Sequence, residues 1–80
     1  MHEWLVEASR RLAAELGDAP GDYVLTQADV DDILELARVA AHDSGERINA
    51  PLLSYLVGLA HGRHGGELAK LVDAAVGKRI

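Results

Sequence analysis

The stretch AAHDSGERINAPLLSYLVGLAHG, Ala40 to Gly62, decides how this chain folds. It opens as the end of one helix, passes through a short polar turn and becomes a very apolar helix. Gly45 marks the stop of the incoming helix, because glycine adopts a left-handed cap without a Cβ clash. Asn49 is the expected N-cap of the outgoing helix, where a side-chain oxygen can accept from unpaired first-turn N–H groups. Pro51 falls in that first turn, where its missing N–H is not needed. Leu52, Leu53, Leu56, Val57, Leu59 and Ala60 then wrap well over half of the helix surface. A helix apolar nearly all round is expected to be buried on more than one side, which makes this the central helix of the fold.

Working toward the N-terminus, LTQADV opens the preceding helix. Thr26 and Asp29 have the three-residue spacing of a capping box, and Leu25 and Val30 flank it as a hydrophobic staple. Val30, Ile33, Leu34, Ala37, Ala40 and Ala41 form the expected apolar face. Asp31, Asp32, Glu35 and Arg38 fall largely outside it. Further upstream, HEWLVEASRRLAAELG places Trp4, Leu5, Ala8, Leu12 and Leu16 at helical spacing. Glu3 and Glu7 suit the positive end of its dipole, and Gly17 ends it. DAPGDY is a loop. Toward the C-terminus, GELAKLVDAAVGKRI carries a stripe of Leu68, Leu71, Val72, Ala75 and Val76, with Lys78 and Arg79 at the negative end of the dipole. No strand-like alternation, repeat or low-complexity tract interrupts this pattern. The expected fold class is all-α: one domain over residues 1–80, a compact bundle of four short helices in which the second and third, and the third and fourth, are neighbours.

Composition bounds the function. Eighty residues bury a modest core, and phenylalanine is absent, so Leu, Val, Ile and Ala must fill it. The lack of cysteine excludes disulfides, thiolate metal sites and a cysteine nucleophile. The opening MHEWLVEASRR intersperses acids and arginines where a secretory signal would be apolar, so a cytoplasmic location is expected. No apolar run approaches the ~20 residues that span a bilayer. The net charge of −5 argues against nucleic acid as a general partner. It is unevenly spread: residues 1–46 carry net −8 and residues 47–80 carry net +3. The halves are expected to neutralise one another within one fold; the asymmetry could also let helices of the two halves attract each other, or two copies pair head to tail.

Few residues suggest chemistry. His61, His64 and Glu67 have metal-like spacing, but Gly62, Gly65 and Gly66 point to a turn between helices, so no metal site is expected. Asp29, Asp32 and Glu35 lack the EF-hand loop and its glycine and read as a solvated face. Gly58 and Gly62 form G-x-x-x-G, a sign of close backbone approach or of a helix end at Gly62. G-x-S-x-G, P-loop and H-E-x-x-H patterns are absent, and neither an enzymatic activity nor a cofactor is expected. Arg47 stands at the mouth of the third helix, whose outward N–H groups favour an anion and whose arginine could add bidentate bonds to phosphate or carboxylate. His42 is close in sequence. Structurally, Arg47 would instead pair with Asp43 or Glu46, or bond the last carbonyls of the second helix.

The same stretch carries a family resemblance. Ala41-His42, then Arg47-x-x-Ala50-Pro51-Leu52, then Leu56 through Ala60 resemble a small helical family of unknown function from high-GC Gram-positive bacteria. HEWL at the start and LELAR in the second helix also fit, so the resemblance covers nearly the whole chain. Members resemble stand-alone versions of a tail found beside, or fused to, molybdenum-cofactor guanylyltransferase-like proteins. The resemblance implies an accessory role in maturing molybdoenzymes such as formate dehydrogenase, through a protein partner of that kind; separately, the apolar content of the third helix in so short a chain suggests a homodimer. The chain has no nucleotidyltransferase portion, so guanylyl transfer is not implied. Glu46 departs from the smaller residues of the family and places a negative charge beside the anion site. The expected ligand- or partner-binding residues are His42, Arg47, Asn49, Pro51, Tyr55 and Gly58. The accessory role is the first expectation, and an anion or phosphorylated-ligand site at Arg47 is the alternative.

Overall fold

A computed structural model describes residues 1–77 of the protein. The described residues form four helices and no strand: α1 (Glu3–Leu16), α2 (Gln27–Ser44), α3 (Asn49–His64) and α4 (Leu68–Val76). The chain is all-α. Lys78 and Arg79, expected at the end of α4, lie outside the described residues. Two compact units make up the chain, Met1–Val30 and Asp31–Ile80, with their boundary inside α2. No described helix is long and apolar enough to cross a membrane.

In the first unit, His2 caps α1: its Nδ1 accepts from the Trp4 N–H at 3.1 Å. Gly17 closes the helix with a left-handed backbone, as its position implied. The following loop is pinned by its own side chains. Asp22 accepts from the Ala19 N–H at 3.1 Å, and the Tyr23 phenol donates to the Asp18 carboxylate. That bond to Asp18 holds the phenol pKa above the ordinary tyrosine value, because the donating, protonated form is favoured beside a carboxylate. The capping box is present in full: the Asp29 N–H donates to Thr26 Oγ1, and the Thr26 N–H donates to the Asp29 carboxylate, both at 3.1 Å. The expected α1 face needs correction. Trp4, Leu5, Leu12 and Leu16 are exposed, and the buried positions are Ser9 and Ala13. Ser9 tolerates burial because its hydroxyl donates to the Val6 carbonyl at 2.7 Å.

The second unit is organised around Leu36, Val57 and Val72, one residue each from α2, α3 and α4. Leu53, Leu68, Leu71 and Val76 pack against them. The α2 face is thus turned from the expected one. Leu36 is fully buried and Leu34 is 63% exposed. Two residues on a helix differ by about 200°, so the two leucines point to nearly opposite sides and only one can enter the core. On α3, Val57 alone is buried. Ile48, Leu52, Tyr55, Leu56 and Leu59 are exposed. This helix is therefore covered on one side, not several, and it is not central in the sense its composition suggested. Among the described residues α3 and α4 lie close along their backbones, as their short connection implied, while α2 joins them through the side chain of Leu36.

Both turns of this unit are glycine turns. Gly45 ends α2, donating its N–H to the Ala41 carbonyl at 3.1 Å. The helix α3 runs past Gly62 and stops at Gly65, whose N–H donates to the His61 carbonyl at 2.8 Å. Gly62 is therefore interior to the helix rather than its end. Glu67 is the extended residue before α4, not part of its first turn, and makes no side-chain cap bond.

Candidate functional site

The turn from α2 to α3 was the place expected to carry chemistry. His42 sits in the last turn of α2, exposed, with Nδ1 3.2 Å from Asp43 Oδ1. Ser44 closes the turn by donating its hydroxyl to the Glu46 carbonyl at 3.2 Å, while the Glu46 N–H lies at the same distance from its Oγ. Arg47 is exposed and has no ion-pair partner among the described residues. The expected pairing with Asp43 or Glu46 does not form.

The mouth of α3 differs from the expected cap. Asn49 is the first helical residue. The N-cap is Ile48, whose backbone is already helical (φ −63°, ψ −21°) and whose side chain cannot accept a bond. The Asn49 N–H donates to the Glu46 carbonyl and the Ala50 N–H to the Arg47 carbonyl, both at 3.1 Å. Pro51 has no N–H. Tight turn bonds have therefore consumed the donors that an incoming anion would need. Arg47 remains as a lone exposed guanidinium.

Asn49 instead belongs to a groove of about 470 Å³. Val39 and Ala40 of α2, Leu53 and Leu56 of α3, and Ala75 and Val76 of α4 form its apolar walls. Asp43, Ser44 and Asn49 supply polar groups at one end. A second depression of about 310 Å³ shares Leu53, Leu56 and Ala75 and extends along α3 and α4 past Val57 and Ala60. The walls exist because α4 is short and alanine-rich at Ala74 and Ala75, so its side chains leave space beside α3. An open apolar trough with polar groups at one end suits an apolar side-chain row of another polypeptide. Asn49 is marked in the sequence by its side chain, whereas Val39 and Ala75 are not. Neither carries a chemical signal; they matter only because of where three helices put them.

The remaining expected residues separate from this groove. Pro51, Tyr55 and Gly58 lie on exposed parts of α3, with Tyr55 69% exposed. Nothing lies within 4 Å of where a Cβ at Gly58 or Gly62 would be. The G-x-x-x-G pattern therefore marks no close approach within the described residues. Gly58→Ala has open space and an ordinary helical backbone, so it should stabilise the protein by about 1 kcal/mol through helix propensity alone. Urea denaturation of the two proteins measures this directly; a loss of stability would mean that something packs on that face.

His61 and His64 do share α3, but Glu67 lies beyond the Gly65 break. His61 Nε2 is 3.1 Å from the Gly66 carbonyl, a bond that ties the turn to the helix end. No group of three His, Cys, Asp or Glu that could hold a metal occurs among the described residues.

A family model matches residues 1–79, and the chain belongs to that family, described as Domain of unknown function (DUF6457). Neither a curated protein nor a solved structure matches the chain.

Proposed function

We propose that this protein is a non-catalytic, cytoplasmic helical accessory module that binds a partner protein through the groove between α2, α3 and α4. The partner class that the sequence resemblance suggests is a molybdoenzyme of the formate dehydrogenase type, or a protein that matures its cofactor. The observation that carries the reading is the groove itself: apolar walls from three helices, open to solvent, with polar groups at one end only. Such a trough favours an apolar segment over a charged or phosphorylated ligand. The alternative, an anion site at Arg47, has its guanidinium but lacks the free N–H groups that would complete it.

Affinity capture with the tagged protein, read by mass spectrometry, tests this reading. Ala75→Arg places a long cation in the groove from an exposed position that leaves the Leu36 core intact. Wild-type protein should enrich a molybdoenzyme or cofactor-maturation protein, Ala75→Arg should reduce that enrichment at least tenfold, and Arg47→Ala should leave it unchanged. Loss on Arg47→Ala with retention on Ala75→Arg would move the site to the turn and replace the groove reading with the anion reading.

A further inference from the structure

The outer side of α3 has a second organisation, independent of the groove. Ile48, Leu52, Tyr55 and Leu59 are spaced by four, three and four residues, and the next step of three reaches Gly62. At about 100° per residue they fall in one narrow arc. Val57, the residue that α3 gives to the core, lies on the opposite side of the helix. All four apolar residues are exposed, from 43% at Leu59 to 69% at Tyr55. This is the 3.5-residue repeat of a helix–helix seam, in which each side chain enters a hole made by a like helix.

We propose that this seam is the interface of a homodimer, in which α3 packs antiparallel on α3 of a second copy. Three features favour a second copy as the occupant. The repeat is self-complementary: antiparallel pairing about Tyr55 sets Leu52 against Leu59 of the other chain, so every position meets an apolar one or a glycine. The exposed parts of the four side chains amount to roughly 500 Å² per copy, or ~1,000 Å² for a pair, which reaches the lower bound of a specific interface. The third is charge. From Asn49 to His64 the helix contains no acid; Arg63 stands at its end and Glu46 just before its start. Neither side chain has an ion-pair partner among the described residues. Antiparallel packing opposes the two helix dipoles and brings Arg63 to an end that carries both Glu46 and Arg47 and is neutral overall, whereas parallel packing aligns the dipoles and sets Arg63 beside Arg63.

Sedimentation equilibrium of the 8.6 kDa chain tests the interface. The wild type should sediment with twice its chain mass at tens of micromolar. Tyr55→Lys, at the centre of the seam and outside the core, should weaken association at least tenfold with unchanged helical circular dichroism. A wild type that stays monomeric, or a dimer that Tyr55→Lys does not weaken, overturns the proposal. Orientation is read by oxidation, since the native chain has no cysteine to interfere. Leu52→Cys mixed with Leu59→Cys should form a mixed disulfide, and Leu52→Cys alone should not. Ready self-crosslinking of Leu52→Cys alone would overturn the antiparallel arrangement. These readouts are mass and crosslinking, so they succeed or fail separately from capture through the groove.

Discussion

Leu36→Ala should destabilise the protein by about 2–5 kcal/mol, the range for a leucine removed from a packed interior. Leu36 is fully buried and is the residue through which α2 joins Val57 of α3 and Val72 of α4. Its truncation leaves a void bounded by three helices, and in so small a core few neighbours can move to fill it. A chain of this length has a total stability of roughly 4–12 kcal/mol, so one substitution removes a large fraction. Leu34→Ala is the matched comparison. It deletes the same atoms two residues away, on the exposed side of the same helix, and should change stability by only about 0.5 kcal/mol. Urea unfolding of the three proteins at equilibrium, followed by circular dichroism, decides the matter. Equal losses for the two leucines would mean that α2 is rotated from the position described.

Gly65→Ala is the second substitution with a large expected cost, and its mechanism is different. Gly65 has φ 68° and ψ −150°, a region open almost only to glycine, because a Cβ there collides with the residue's own backbone. The strain does not depend on space around the side chain, which is open. The expected loss is about 1–3 kcal/mol. Any relaxation of the turn would also disturb the bond between His61 Nε2 and the Gly66 carbonyl and the seating of Leu68 and Val72 in the core. The contrast with Gly58→Ala is informative. One glycine lies inside α3 and should gain stability on substitution, and the other ends α3 and should lose it. The same denaturation experiment gives both signs, and a neutral Gly65→Ala would show that the α3–α4 turn adopts another backbone path.

What the sequence alone determined is the set of local features. The Thr26–Asp29 capping box, the stops at Gly17 and Gly45, and the existence of four helices all depend on groups a few residues apart, whose geometry the chain order already imposes. Family membership across residues 1–79 likewise needs no fold. The start of α3 departs from the cap that its sequence predicts, even though it is local. Asn49 is a good capping residue, but turn bonds to the Glu46 and Arg47 carbonyls carry helical backbone one residue further back and leave Ile48 at the cap. That displacement also used up the donors of the expected anion site.

Which face of each helix is covered was decided only in three dimensions. α3 is apolar nearly all round, so periodicity could not choose between the Val57 side and the Tyr55 side. α2 offers Leu34 and Leu36 on opposite faces with equal hydrophobicity. The choice rests on which side chains α4 presents at the right distance. The groove at Ala75 and the bare seam at Tyr55 are both consequences of it, because burial is a property of neighbours brought together by the chain, and a sequence pattern states only which residues could be buried.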